Sequence, residues 1–379
     1  MSYILKHRNT ALIRFNLTSD PIAGLSIKIL ESNSQYQSLF PLDLEPTNTG
    51  LLKWLKRRII PRNRAFVQSF LAKLGLNVND TKGIIDICRG LSLNDCYWVV
   101  DASFSETFAR YNLYDNRFSR ILSLIAYTGY GESIRSTFAS TPELTTGGML
   151  AKCWRRIGGK IILYKAGSTG AANAGNEPYS EFYAWQIAQA MGLNAVEYNL
   201  RQWKGQLCST CELFTDQTRA YIPAGRIVPE GGWAAVMQYY KALGDRYYQS
   251  LIDMLIFDAV ICNEDRHFGN FGLTINNETN RVVDTAPIFD NGLSLFNYAM
   301  EDDLQDMENY VNTRLMATSQ DFIVFAQQVI TNEQKKKLRK LINFRFKKHP
   351  RYNVPPHRFK IIEEFIQQRV HELLLLRSI

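Results

Sequence analysis

The chain has 379 residues, a formal net charge of +8 and 46% hydrophobic residues, which is enough for one large domain or two lobes with a substantial core. It holds no apolar run of about 18 residues, so no helical membrane span is expected. Six cysteines in a chain this long do not make a disulfide framework.

The opening Met1-Ser-Tyr-Ile-Leu-Lys-His-Arg8 lacks the apolar core of a signal peptide, which predicts a cytoplasmic protein unless export uses another route. Residues 1 to about 45 read as short strands, with β-rich pieces at Tyr3, at residues 11–15 and at residues 25–30. Residues 51–76 read as helices, because Leu51, Leu52 and Leu55, and then Phe66, Phe70 and Leu71, recur at helical spacing. A further helix starts at Asn79-Asp80-Thr81 and runs towards Cys88, and residues 91–100 look strand-like. Residues 117–125 form the next expected helix.

Next comes Thr145-Thr146-Gly147-Gly148, followed by Lys152. Adjacent glycines let a backbone approach phosphates, because no Cβ blocks the way, and the Thr and Lys side chains add a hydroxyl and a positive charge. The pattern is neither a Walker A loop nor the Gly-rich loop of ordinary protein kinases; taken alone it reads as a hairpin turn. Residues 159–165 form a strand that ends in Lys165. A cation at a strand end, after a phosphate loop, is where a kinase places its nucleotide lysine; Lys160, at the strand start, is the alternative. A polar loop from Gly167 to Asn176 leads into a helix with Tyr183, Ile187, Ala190 and Met191 on one face, ended by Gly192. Residues 195–200 and 205–214 form a hairpin pattern. Within it Cys208-Ser-Thr-Cys211 has the C-x-x-C spacing, but no second Cys pair or nearby His supports zinc, and a strand would turn the two sulfurs to different sides.

Residues 233–248 read as helical and aromatic. The apolar run at 251–261 is a buried helix, and it gives way to Asn263-Glu264-Asp265-Arg266-His267-Phe268-Gly269-Asn270. Two strand-like pieces, 271–275 and 281–283, then lead to Ala286-Pro-Ile-Phe-Asp290-Asn291-Gly292. Phosphoryl transfer needs a carboxylate for the attacking hydroxyl and hard oxygen ligands for Mg2+. The protein-kinase catalytic loop places an Asn five positions after its catalytic Asp, and a metal-binding Asp follows one hairpin later. Asp265 and Asn270 have that spacing, and Asp290 follows the hairpin. Asp258, inside the helix, and Asp284, ahead of the turn, rank below these three. Glu301-Asp302-Asp303 is acidic, residues 304–330 and 356–376 read as amphipathic helices, and Pro350, Pro355 and Pro356 break the chain between helices. Two basic runs, residues 53–64 and 335–351, read as solvated helix faces ahead of a nucleic-acid surface.

The ordered set Asp265, Arg266, His267, Asn270, Pro287 and Asp290 resembles the HipA-like serine/threonine kinases, including the short bacterial CtkA type. In that family an Asp-Arg-His/Asn-x-x-Asn loop precedes a hairpin and a Pro-x-x-Asp metal motif. The resemblance covers residues 140–300 and extends loosely to the flanks. It implies an α+β, two-lobed protein-kinase-like fold, with a mixed β N-lobe and a mainly α-helical C-lobe. It divides the chain into an N-terminal region at 1–140, the nucleotide-binding part of the small lobe at 141–216 and a helical catalytic lobe at 217–379. It implies ATP and Mg2+ as cofactors and a protein hydroxyl as acceptor. In its terms Asp265 orients the hydroxyl, Asn270 and Asp290 bind Mg2+, and Lys165 holds the α- and β-phosphates. Glu181 or Glu177 positions that lysine, and either is also a favourable charge at a helix N-terminus. Thr145, Thr146, Gly147 and Gly148 correspond to a phosphate loop that can be phosphorylated. Glu212-Leu213-Phe214 corresponds to the adenine hinge, and His267 shapes the loop. A HipB-like antitoxin is the partner the resemblance implies. The other readings carried forward are a catalytically weak regulator that acts through such a partner and a small-molecule or lipid kinase.

Overall fold

The computed structural model describes residues 1–20, 24–134 and 138–379. Its strands, in chain order, are β1 (Ser2–His7), β2 (Thr10–Asp20), β3 (Gly24–Ser32), β4 (Tyr97–Asp101), β5 (Lys152–Ile157), β6 (Lys160–Ala166), β7 (Tyr198–Trp203), β8 (Gln206–Glu212), β9 (Arg219–Pro223), β10 (Gly272–Asn276) and β11 (Arg281–Thr285). The helices are α1 (Asn48–Lys56), α2 (Val67–Ala72), α3 (Thr81–Cys88), α4 (Arg120–Thr128), α5 (Glu177–Met191), α6 (Ala224–Ile227), α7 (Gly232–Leu243), α8 (Asp245–Ile261), α9 (Glu301–Gln305), α10 (Met307–Asn312), α11 (Phe322–Gln327), α12 (Asn332–Arg339) and α13 (Pro356–Leu375). Antiparallel sheet and helix are mixed along the chain, and the fold class is α+β. Two compact units share the chain. One holds Met1–Tyr164, Leu213–Ile222 and Thr274–Val283; the other holds Lys165–Glu212, Pro223–Leu273 and Asp284–Ile379.

In the first unit an antiparallel sheet runs β3-β2-β1-β4. Side chains of a strand alternate between faces, so Tyr3, Leu5 and His7 of β1 point inward while their neighbours are half-buried. Helix α1 covers this face with Leu51, Trp54 and Leu55, and it starts where the Thr47 side chain accepts the Gly50 N–H. A second core gathers Phe70, Leu71, Ile84 and Ile125 from α2, α3 and α4, and a third gathers around Trp98 of β4. The order β11-β10-β9 makes a small sheet whose central residues also belong to this unit.

In the second unit, helix α8 is buried on every side from Leu251 to Ile261, as an apolar helix of a large core must be. It ends at Cys262, whose φ is +48°. Helix α5 closes on Gly192, left-handed at φ +79°, whose N–H reaches Ala188 O. Strands β7 and β8 pair antiparallel, with Tyr198 opposite Cys211 and Trp203 opposite Gln206. Much of the second basic run is used inside this unit. Lys335 donates to Leu376 O, Lys337 pairs with Asp253, and Lys340 donates to Met191 O at 3.3 Å.

Four elements differ from the sequence pattern, each for a local reason. The strand expected over 91–100 is confined to Tyr97–Asp101. Ahead of it Ser92 Oγ accepts the Asn94 N–H and Asp95 Oδ1 accepts the Tyr97 N–H, forming turns in place of a ladder. The helix expected from Arg117 starts at Arg120, because Ser119 caps it. The helical stretch 233–248 breaks at Gly244, φ +125°. Residues 304–330 hold only short helices, since Asp306 and Asp321 each start a new one by accepting backbone N–H groups.

Candidate functional site

The site grows from the end of α8. Asp258 is wholly buried there, and its carboxylate receives both arms of the Arg266 guanidinium, Nε at 2.9 Å and Nη2 at 3.0 Å. Arg266 is itself 1% exposed and also donates to the carbonyls of Asn270 (2.9 Å) and Phe289 (2.6 Å) and to Asn291 Oδ1 (2.6 Å). One side chain thus ties the helix, the polar loop and the Asp290 turn together. Burial works against the charge on Arg266, and the Asp258 carboxylate outweighs it, so the guanidinium titrates above its usual value. The Asn263 side chain adds to the anchor. It donates to Asp258 Oδ1 at 3.0 Å and accepts the Asp265 N–H at 3.2 Å.

On this anchor the loop folds tightly. The His267 N–H donates to Asp265 O at 2.7 Å, and the Asn270 N–H donates to His267 O at 2.9 Å. His267 is exposed, and its Nδ1 accepts the Gly269 N–H at 2.9 Å. Asn270 donates its amide N–H to Asp265 O at 3.0 Å, which directs its amide oxygen elsewhere as an acceptor. Burial raises the Asp265 carboxyl above its usual value; His267 and Lys165 pull it down, and Asp290 pushes it up. The chain leaves through β10 and returns along β11, and the Ala286 N–H donates to Gly272 O at 2.9 Å, closing the base of the hairpin.

The returning segment is held on several sides. Val196 N–H donates to Ile288 O at 2.9 Å, Ile288 N–H to Asn194 O at 2.8 Å, and Asn291 N–H to Glu181 Oε2 at 2.7 Å. Asp290 sits at φ +57°, a left-handed conformation that costs a non-glycine residue on the order of 1–3 kcal/mol and persists only where its surroundings enforce it. Lys165, at the end of β6 and 8% exposed, pairs with Glu181 Oε1 at 2.9 Å and with Asp290 Oδ1. Burial disfavours the Lys165 charge, but the two carboxylates outweigh it and raise its pKa. Glu181 is fully buried on α5, and burial raises its carboxyl against the pull of Lys165. Glu177 does not reach the lysine. Its carboxylate accepts the Ser168 N–H at 3.0 Å and the Tyr298 hydroxyl at 3.1 Å. Lys160 is exposed at the start of β6, and Asp284 is exposed on β11.

Four carboxylates, Asp258, Asp265, Glu181 and Asp290, therefore face two permanent cations, Lys165 and Arg266. The excess of negative charge suits a divalent cation. Among the described residues no group of three or more His, Cys, Asp or Glu side chains could hold a metal by itself. Mg2+ characteristically takes one or two carboxylates and fills the rest of its shell with phosphate oxygens and water. The Asp290 carboxylate and the Asn270 amide oxygen fit that donor set.

The remaining candidates lie elsewhere. Thr145–Gly148 belongs to the first unit. There Thr145 donates its hydroxyl to Leu91 O at 2.8 Å, and Thr146 donates to Pro142 O at 2.7 Å. Gly148 is left-handed at φ +85°, and a Cβ there would collide with Lys152 Nζ, which donates to Gly147 O at 3.1 Å. Glu212 closes β8 in the second unit, exposed. Phe214 falls in the first, edge-on to Tyr221 at 5.5 Å. Between them the Leu213 N–H is already engaged by Ile161 O at 2.9 Å. Cys208 is buried and Cys211 half-buried, both as free thiols, and burial pushes Cys211 up to about 12.

In the sequence pattern Asp258 ranks low and Arg266 has no role of its own. The available signal was a carboxylate inside an apolar helix, since an Asp so placed is rarely left unpaired. Tyr198 was passed over entirely, although its hydroxyl accepts the Asp290 N–H at 3.2 Å.

No family model and no curated protein matches the sequence. Solved structures do match. HipA of the Shewanella oneidensis MR-1 toxin–antitoxin system, solved with HipB and its operator DNA, is 11% identical, with 98% of this chain and 96% of that one covered and a TM-score of 0.52. The Helicobacter pylori proinflammatory kinase CtkA is 17% identical over 59% of this chain and 89% of its own, with a TM-score of 0.44. The chain has the fold of the HipA-like kinases.

Proposed function

We propose that the chain is an ATP- and Mg2+-dependent kinase that transfers the γ-phosphate to a serine or threonine hydroxyl of a protein and also phosphorylates itself. The observation that carries this reading is the Lys165–Glu181–Asp290 network, tied by Arg266 to the Asp265–Asn270 loop. Asp265 accepts the hydrogen bond of the attacking hydroxyl, and its raised pKa makes it a stronger base than an exposed Asp. Lys165, oriented by Glu181, holds the α- and β-phosphates. Asn270 and Asp290 would hold Mg2+, which when bound supplies neutralisation of the phosphate charge. His267 shapes the loop. The Thr145–Gly148 backbone serves as phosphate loop, the backbone at Glu212 and Phe214 as adenine hinge, and Thr145 or Thr146 as the self-phosphorylated hydroxyl. On this reading residues 141–216 serve nucleotide binding, 217–379 serve catalysis and 1–140 form an N-terminal region, all in the cytoplasm.

The test is transfer from labelled ATP with Mg2+, with Asp265→Asn and Asp290→Asn beside the wild type. Loss of a general base or of a metal ligand lowers the rate by about 10²-fold or more, and phosphopeptide mapping then reports on Thr145 and Thr146. A wild type that neither binds ATP nor transfers phosphate overturns the reading. The HipA–HipB–operator complex among the similar structures favours one further element, a small HipB-type repressor as partner. Its signature is co-elution of the two proteins in gel filtration.

A further inference from the structure

We infer that Tyr198 is a positioning residue that holds Asp290 in its metal-binding conformation, an inference that rests on the kinase reading. Among the residues assigned to catalysis and metal binding, Asp290 is the one whose own backbone is left-handed, at φ +57°. Asp tolerates that region better than most residues but does not prefer it, so something must hold it there. The bonds from Arg266, Asn194, Val196 and Glu181 grip the neighbours Ile288, Phe289 and Asn291. The Asp290 N–H itself donates to the Tyr198 hydroxyl at 3.2 Å.

Tyr198 is well placed to act as a fixed post. It is 4% exposed and starts β7, opposite Cys211 of β8. Cys211 is itself half-buried. With its ring buried and its backbone paired into the β7–β8 hairpin, Tyr198 offers Asp290 an acceptor on a fixed element. Replacing Tyr by Phe removes that acceptor and loosens the hold on the Asp290 backbone. The carboxylate would then no longer be held in its present place against Lys165.

The probe is a non-hydrolysable ATP analogue, titrated calorimetrically into the full chain with chelator and again with saturating Mn2+. The readout is the gain in affinity that the metal brings. A partner one bond behind a metal ligand typically governs about 10-fold to 100-fold in metal affinity. Tyr198→Phe should therefore lose about 10-fold or more of the metal gain, while metal-free affinity stays within about 2-fold. Cys211→Ala serves as a packing control. It disturbs the same strand pair but keeps the hydroxyl, and it should retain the gain. If Tyr198→Phe keeps the gain, or if both variants lose it equally, the positioning role is overturned. If the wild type itself shows no metal gain, the kinase reading fails and this inference falls with it, an outcome distinct from the first two.

Discussion

At the scale of single residues, Arg266 does the most. It makes five hydrogen bonds to four residues that lie on a helix, a loop and the segment that follows β11. Lysine could not replace it, because a point charge cannot reach a carboxylate, two carbonyls and an amide at once. Truncation to Ala would leave Asp258 buried and uncompensated. Removing one partner of a buried ion pair costs about 3–5 kcal/mol, so Arg266→Ala is expected to lose that much stability in urea denaturation. A loss below about 1 kcal/mol would place Arg266 among ordinary surface pairs and remove it as the anchor of the site. In sequence, Arg266 stood out only as part of an ordered motif. The spacing of Asp265 and Asn270 is local and legible. The bond from Tyr198 to Asp290 joins residues far apart in the chain, and no periodicity encodes it.

At the scale of elements, helices with apolar stripes were legible. So was the strand that delivers Lys165, whereas the choice between Glu181 and Glu177 was not. Both acids lie in the first turns of α5, and only the direction of each side chain separates the ion pair from the loop contact. A second acid escaped the pattern altogether. Glu143 is wholly buried ahead of the Thr145–Gly148 loop, where it accepts the Ser123 hydroxyl at 3.2 Å from α4 and the Trp154 N–H at 2.9 Å from β5. Arg64 braces the same loop by donating to Thr146 O at 3.1 Å and to Lys152 O at 2.5 Å. Burial pushes the Glu143 carboxyl up to about 7, against the pull of Arg64. The native state therefore binds a proton there more tightly than the unfolded chain. This contribution is fully present below the unfolded value of 4.5 and is lost as pH rises through about 7. The shift corresponds to about 3 kcal/mol across that window. Urea midpoints should fall from pH 5 to pH 7.5 in the wild type, and Glu143→Gln, which cannot ionise, should show a shallower fall. Equal slopes in the two proteins would mean that Glu143 titrates like an exposed carboxylate.

At the scale of the whole molecule, the first compact unit is not a continuous piece of chain. The segments Leu213–Ile222 and Thr274–Val283 return to it, and they satisfy groups that the first 164 residues leave open. Thr215 donates its hydroxyl to Leu93 O at 2.5 Å, and the Tyr221 N–H donates to Asn94 O at 2.8 Å. Asn280 donates to Phe40 O at 2.6 Å, and Gln217 O accepts from Arg8 at 2.6 Å. Leu213 packs against the core around Trp98. Such returns depend on pairing between distant segments, which local patterning does not report. They also carry an energetic consequence. A fragment ending at Tyr164 keeps the β3-β2-β1-β4 sheet but loses these partners. Leu93 O keeps the Tyr114 hydroxyl at 2.9 Å, whereas Asn94 O, Phe40 O and the Arg8 guanidinium lose theirs. A buried polar group left unpaired costs about 1–3 kcal/mol. Several such losses together are comparable with the whole stability of a domain, about 5–15 kcal/mol. The fragment 1–164 is therefore expected to melt broadly and to bind a hydrophobic dye at 25 °C, whereas the full chain melts sharply and does not. A sharp, reversible transition of the fragment alone would show that the sheet and its helices suffice, and that the returning strands are attached to a unit already complete.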